Sequence, residues 1–181
     1  CPNTHAGIAD SGRELRVLLE EIGKENESKT PVMLKLSPDS DDRLLDEIFT
    51  QSAGFPVAGF ICGNTTTTRG QLQTASDVLS NIKAGGLSGK PLKSLALNLV
   101  RRVFECKRRD QLIIACGGIS NGRDAFEMIS GGASFLQLYT AMVYQGPFIA
   151  CKIAEELDAI LLQEKMTFKE AIGSISKIRI K

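Results

Sequence analysis

The sequence has little of what several common kinds of functional site require. His5 is the single histidine among 181 residues, so a catalytic triad or a multi-histidine metal site would depend on that one side chain. The 5 cysteines are an odd number and form no C-x-x-C pair, which favours neither a disulfide framework nor a zinc site. We expect Cys106 and Cys151 to be small buried side chains in a reducing compartment.

Excess charge and long hydrophobic runs are also lacking. The 22 Lys and Arg residues against 21 Asp and Glu residues leave a net charge of +1, which argues against a general electrostatic grip on nucleic acid. No apolar run approaches the roughly 18 residues that a membrane-spanning helix needs. The start resembles no signal peptide, and Cys1 in place of Met suggests a processed, nicked or partial chain. Length and composition predict one globular domain over residues 1–181.

Helical and strand patterns alternate along the chain. The predicted strands are Pro31 to Leu36, Ala58 to Cys62, Gln111 to Cys116 and Ser134 to Tyr139. The predicted helices cover residues 12–26, 92–107, 124–130, 148–165 and 168–172, and a further one begins at Ser40. Such alternation is typical of a parallel sheet with crossover helices, in either an open doubly wound sheet or a closed (β/α)8 barrel. Because a full barrel usually needs about 250 residues, four strands make at most half of one.

Polar and glycine-rich segments follow the predicted strands. They are Asn64-Thr65, Gly117-Gly118 and Tyr139-Thr140. In both candidate folds the functional site lies at the carboxyl ends of the strands. Glycines let the backbone approach a ligand, and the N–H groups at a helix start point at a phosphate, so the last two segments predict an anion site. Ser88, in a long Gly-rich connection, is a weaker phosphate signal.

Lys35 is a single charge inside the apolar stretch Leu34-Lys35-Leu36. A charge buried in a strand is costly unless it is paired or functional. The side chain could instead lie at the strand end and reach solvent. Both interpretations of Lys35 stay open at this point.

Six segments, taken in order, resemble a known family. They are Cys1-Pro2-Asn3-Thr4, Leu34-Lys35-Leu36-Ser37-Pro38-Asp39, Gly63-Asn64-Thr65-Thr66, the stretch 85–92 (GGLSGKPL), the stretch 117–122 (GGISNG) and the stretch 132–141 (GASFLQLYTA). Together they resemble the carboxyl-terminal half of dihydroorotate dehydrogenase. The stretch 85–92 and the end of the last segment are most similar to the quinone-linked, membrane-associated class 2 branch.

The resemblance implies an FMN-dependent (β/α)8 barrel that oxidises dihydroorotate to orotate in pyrimidine (UMP) biosynthesis and passes electrons to quinone. It implies that Cys1 is the catalytic base, which takes a proton from C5 while C6 gives hydride to the flavin N5. The implied substrate ligands are Asn3, Asn64 and Thr65. The implied cofactor ligands are Lys35 and Gly63 near the flavin ring, with Ser88, Gly89, Gly117, Gly118, Tyr139 and Thr140 around the phosphate.

The resemblance also implies a missing segment, because the family's first barrel strands and its amino-terminal helices have no counterpart here. We therefore expect no turnover from this chain alone. Membrane contact is expected only through the absent region, at the bacterial or mitochondrial inner membrane. Two alternatives stay open. One is another FMN barrel, such as a dihydropyrimidine-reducing relative or a class 1-type enzyme, since cysteine and not serine stands at the base position. The other is a non-catalytic phosphate-binding half-barrel.

Overall fold

A computed structural model describes residues 12–70, 72–82 and 85–175. The helices are α1 (Gly12–Glu25), α2 (Asp42–Ser52), α3 (Ser76–Ser80), α4 (Lys93–Cys106), α5 (Gly122–Ser130), α6 (Thr140–Gln145), α7 (Ile149–Gln163) and α8 (Phe168–Ala171). The strands are β1 (Val32–Leu36), β2 (Val57–Cys62), β3 (Leu112–Cys116) and β4 (Phe135–Gln137), and one turn of 3-10 helix (Lys90–Leu92) precedes α4. The predicted alternation of strands and helices is confirmed.

The strands form one parallel sheet in the order β1-β2-β3-β4. Its register places Lys35 beside Ile61, Ile61 beside Ile114, and Ile114 beside Phe135. Within the part of the chain that the structure describes, β1 and β4 each pair with one neighbour, so each leaves one edge without a partner strand. All the carboxyl ends lie at the same edge of the sheet because every pair is parallel.

The two faces of the sheet differ in burial. Ile113 and Ala115 of β3 are fully buried and pack in a core that includes Val100 and Val103 of α4. The alternate residues point to the opposite face. There Leu112 is 43% exposed, and Phe135 of β4 is 57% exposed. One face of the sheet is therefore covered by helices, while large apolar side chains remain exposed on the other.

Side-chain caps set where two of the helices begin. The Asp41 carboxylate accepts a hydrogen bond from the backbone N–H of Leu44 at 2.8 Å, so α2 begins at Asp42 and not at the predicted Ser40. The Asn121 side chain accepts from the N–H of Asp124 at 2.8 Å and starts α5 two residues before its predicted first residue. Both caps use local side chains that sequence reasoning can recognise.

The end of the sheet differs from the prediction. Strand β4 stops at Gln137 instead of Tyr139, and the short helix α6 was not predicted. The reason is pairing, because Cys116 is the last residue of β3 and its partner is Gln137. Gly117 then turns away with φ 125°, which leaves the two residues after Gln137 with no strand to pair with.

The long connection between β2 and α4 is closed near its ends. Thr66 and Leu87 form an isolated antiparallel bridge, with N–H to O distances of 3.1 and 2.7 Å. Asp39, which follows β1, accepts hydrogen bonds from the Thr66 hydroxyl and from the N–H of Thr67. The bridge holds the segment after β2 next to the segment before α4.

The expectation that Cys106 and Cys151 are buried is wrong, since both are exposed. Cys151 lies between Ile149 and Ile153 of α7, whose side chains are buried, and residues two apart on a helix do not share a face. Cys62 is buried, and Cys116 is partly buried. None of the helices in the described ranges is both long and apolar enough to cross a membrane.

Candidate functional site

A cavity of about 1010 Å³ lies at the carboxyl ends of the strands. This volume is at the upper end of the roughly 300–1,000 Å³ typical of ligand and cofactor sites. Its lining comes from separate segments of the chain, namely Lys35, Asn64-Thr65, residues 86–92, residues 116–120, residues 137–141 and Tyr144-Gln145. The predicted convergence of the strand ends on one site is therefore present in the fold.

The structure brings together all but one of the predicted site residues that it describes. Those in the cavity lining are Lys35, Asn64, Thr65, Ser88, Gly89, Gly117, Gly118, Tyr139 and Thr140. Gly63 is outside the lining, where its N–H donates to the Leu36 carbonyl at 3.2 Å. Cys1 and Asn3 lie outside the described residues. Their predicted roles stay predictions.

Lys35 lies on the sheet face opposite to its strand neighbours. Leu34 and Leu36 belong to the core, whereas the Lys35 side chain is exposed and reaches the cavity. Its Nζ donates to the Asn64 side-chain oxygen at 3.0 Å. The strand therefore holds no buried charge, and the lysine is both paired and at the strand end.

Cys116 is a thiol in the cavity wall at the end of β3. Burial raises the pKa of this thiol above its usual value, and the nearby positive charge of Lys35 only partly opposes the increase. The thiol is therefore mostly protonated at neutral pH.

Thr65 carries a buried polar atom that lacks a partner. Its Oγ1 is inaccessible to solvent and makes no hydrogen bond within the described structure. A buried hydroxyl left unsatisfied costs about 1–3 kcal/mol. Because Thr65 also lines the cavity, a ligand could supply the missing partner.

The Gly117-Gly118 turn packs closely against the start of α4. Both glycines have positive φ, 125° and 73° respectively. A Cβ at Gly118 would lie 2.5 Å from the Cα of Lys93, and one at Gly117 would lie 2.9 Å from the Leu92 side chain. Side chains at these positions would displace the turn, so glycine is needed for the backbone itself to form this wall of the cavity.

Another part of the cavity wall is formed where the connection between β2 and α4 contacts the segment after β4. The Thr140 hydroxyl donates to the Ser88 hydroxyl at 3.0 Å. Gly89 has φ 81°, and a Cβ there would lie 3.0 Å from Thr140 Cγ2. Hydroxyl groups from two distant segments thus meet beside the Gly117-Gly118 turn.

The charge of the cavity is positive. Lys35 and Lys90 are in the lining, and no Asp or Glu occurs among the described residues that form it. Two ammonium groups with no carboxylate among the lining residues favour an anionic ligand, such as a phosphate or a carboxylate.

Sequence reasoning missed several residues of the cavity. Lys90 and Cys116 directly adjoin predicted glycines, so their positions in the chain were a usable signal. Tyr144 and Gln145 are on α6, and no local pattern predicted that helix. Their contribution depends on where β4 ends.

Parallel strands in sequential order, with helices on one face of the sheet and a cavity at the carboxyl edge, are typical of part of a (β/α)8 barrel, whereas a doubly wound sheet carries helices on both faces. A family model described as dihydroorotate dehydrogenase matches residues 1–161 of the sequence. The chain belongs to the dihydroorotate dehydrogenase family.

Individual relatives agree with the family match. The chain is 40% identical over 158 residues to the mitochondrial dihydroorotate dehydrogenase (quinone) of Candida glabrata, covering 86% of this chain and 36% of the relative. It is 34% identical over 169 residues to the dihydroorotate dehydrogenase (quinone) of Crocosphaera subtropica, covering 90% of this chain and 44% of the relative. The chain thus spans less than half of the length of either relative.

A solved structure extends the similarity to three dimensions. The crystal structure of DHODH from Eimeria tenella in complex with ferulenol superposes with a TM-score of 0.85 at 30% identity, covering 97% of this chain and 52% of that one. The expected fold, about half of a (β/α)8 barrel and corresponding to its carboxyl-terminal half, is confirmed.

Proposed function

We propose that the chain is the carboxyl-terminal part of an FMN-dependent enzyme that oxidises dihydroorotate to orotate, a step of pyrimidine (UMP) biosynthesis, and passes the electrons to quinone. The observation that carries the proposal is the cavity at the carboxyl ends of the strands, whose lining contains nine of the predicted residues. The quinone in the names of the relatives supports the acceptor. In this proposal the enzyme contacts the inner membrane only through the family's amino-terminal region, which has no counterpart in this chain.

Three observations support FMN as the ligand of the cavity. The Gly117-Gly118 turn contributes glycine backbone to the cavity wall just before the start of α5, which suits a phosphate. The lining has two lysines and no carboxylate among its described residues, which suits an anion. The buried Thr65 hydroxyl lacks a partner that a ligand could provide. When bound, the flavin supplies a two-electron acceptor for the hydride leaving the substrate.

The chain's own residues would bind and orient the two ligands. Lys35 holds a positive charge at the β1 end, where its hydrogen bond to Asn64 orients that amide. In the proposal Asn64 and Thr65 hold the pyrimidine. The hydroxyls of Ser88 and Thr140 and the backbone of the Gly117-Gly118 turn hold the phosphate, with Gly89 and Tyr139 alongside. Cys1 would take the substrate proton.

Alkylation of Cys116 tests whether the cavity binds FMN. The purified chain is treated with a maleimide with and without FMN, and the labelled residue is located by mass spectrometry. We expect FMN to slow the labelling of Cys116 at least about tenfold, because the thiol is in the cavity wall. Cys151, which is exposed on α7, is the internal control and should label at the same rate in both samples.

Equal labelling of Cys116 with and without FMN, in a colourless protein, would contradict a flavoenzyme and favour the half-barrel scaffold. A yellow protein whose flavin spectrum shifts with orotate would support the substrate. Turnover with quinone but not with fumarate or NAD would separate the proposed acceptor from a class 1-type enzyme.

Replacing Thr65 by Val should have opposite effects on stability and on ligand binding. Removing the unsatisfied hydroxyl is expected to raise the free energy of unfolding by about 1 kcal/mol, because valine has nearly the same shape. Binding of orotate should weaken about tenfold, because the proposed hydrogen bond is lost. Urea unfolding and flavin-monitored orotate titration measure the two effects.

Thr50→Val is the matched control for Thr65→Val. Thr50 is exposed on α2, and its hydroxyl donates to the Asp46 carbonyl at 2.8 Å. This variant should leave orotate binding unchanged. A Thr65→Val protein that binds orotate as tightly as the parent would remove Thr65 from the proposed substrate site.

A further inference from the structure

An ion-pair network lies directly behind the glycine turn of the cavity. The Asp124 carboxylate is in the first turn of α5 and is only 6% exposed. One of its oxygens accepts from Lys93 Nζ at 2.6 Å. The other accepts from the backbone N–H of Ser120 at 3.0 Å and from the Ser120 hydroxyl at 2.8 Å. One buried carboxylate therefore joins the loop after β3 to the first residue of α4.

The network touches the cavity through the loop alone. Ser120 lines the cavity, but Lys93 and Asp124 do not. Gly118 also packs directly against the backbone of Lys93, since a Cβ at Gly118 would lie 2.6 Å from the Lys93 N. Lys93 thus packs directly against the loop 117–120 at Gly118, and its partner Asp124 binds the end of the loop at Ser120.

Charge balance behind the loop depends on Lys93. Its ammonium group pairs with Asp124 and also with Glu127 at 3.0 Å. Burial alone would raise the pKa of Asp124, but the hydrogen bonds from Lys93 and Ser120 outweigh it and hold that pKa below its ordinary value. The carboxylate is therefore ionised at neutral pH and compensated by the lysine.

We propose that Asp124 and Lys93 are positioning residues for phosphate binding, which hold the loop 117–120 so that the backbone N–H groups of Gly117 and Gly118 can face the phosphate of the cofactor. This inference rests on the proposed function. Neither residue touches the cofactor in this arrangement. Asp124 acts through Ser120, and Lys93 supports Gly118 while neutralising the Asp124 carboxylate, which would otherwise repel an anion. Glu127 pairs with Lys93 and also with Arg123 at 3.7 Å.

The test compares FMN with riboflavin, which lacks the phosphate. Dissociation constants of both ligands are measured by fluorescence quenching for the full 181-residue chain and for Asp124→Asn. The variant removes the negative charge and replaces one acceptor oxygen with a donor. We expect FMN binding to weaken at least about tenfold and riboflavin binding to change less than twofold. A general loss of structure would weaken both ligands together.

Asp46→Asn is the matched control. Asp46 is on α2, outside the cavity lining, and pairs with Arg102 of α4 at 2.7 Å. This variant makes the same change of charge and should alter neither constant. Ser120→Ala removes one hydrogen bond to Asp124 and serves if Asp124→Asn does not fold. It should weaken FMN binding severalfold and leave riboflavin binding unchanged.

The outcomes separate this inference from the proposed function. If the parent chain prefers FMN to riboflavin and the folded variants keep the same preference, the positioning role is wrong and the proposed function stands. If the parent chain shows no preference for FMN, the phosphate site itself is wrong, and the inference falls with it.

Discussion

The purified 181-residue chain is expected to oxidise dihydroorotate at least about 100-fold more slowly than the same chain supplied with the complementary strands of a relative. In the described sheet, β1 and β4 each lack a partner at one edge. The face bearing Leu112 and Phe135 leaves both side chains exposed. Without strands to cover this face and fix the edges, groups at the strand ends are not held within the fraction of an ångström that catalysis requires.

Co-expression measures this difference. The chain is produced alone and together with the amino-terminal part of the Candida glabrata relative, and both preparations are assayed with a quinone acceptor. Turnover by the chain alone within about tenfold of the complemented sample would show that the described half of the barrel is sufficient.

Replacing Gly63 by Ala should lower the free energy of unfolding by about 4 kcal/mol. A Cβ at Gly63 would lie 1.7 Å from the Cys116 carbonyl oxygen, which is a backbone atom at the end of the neighbouring strand. The residue also has φ 140°, which side chains rarely adopt. The ends of β2 and β3 would have to separate, and both carry cavity residues. Urea unfolding followed by circular dichroism measures the loss.

Gly54→Ala is the matched control for Gly63→Ala. A Cβ at Gly54 would meet no atom within 4 Å, and Gly54 is absent from the glycines with positive φ. Its free energy of unfolding should change by less than about 0.5 kcal/mol. If Gly63→Ala were as stable as Gly54→Ala, the close contact between the ends of β2 and β3 would be wrong.

Local patterns were sufficient to predict the parts of the fold whose pairing is long and regular. The apolar runs that end at Leu36, Cys62 and Cys116 correspond to strands that end at those residues. The last strand was predicted too long because its end depends on the partner, since Gly117 turns away opposite Gln137. No pattern within the last segment contains that information, so α6 was missed as well.

The residues of the candidate site also fall into a group that the sequence predicts and a group that it does not. Glycines and polar residues after the strands predicted three of the segments that reach the cavity, at 64–65, 117–118 and 139–140, because parallel strands bring their carboxyl ends together. The orientation of Lys35 follows from strand alternation, which places it opposite Leu34 and Leu36. Two features needed coordinates, namely the missing partner of the Thr65 hydroxyl and the contact of Asp124 with Ser120. Each depends on contacts between groups that sequence spacing alone does not specify.

The bridge between Thr66 and Leu87 fixes the two ends of the connecting segment that runs between them. The geometry of the cavity therefore does not depend on the length of that segment. Asn64-Thr65 and Ser88 lie on the cavity side of the bridge, so their spacing does not depend on how many residues run from 68 to 85. Doubling such a segment adds only about 0.6 kcal/mol of closure entropy. Engineers could therefore insert an affinity peptide or a fluorescent tag there and keep the binding groups in register.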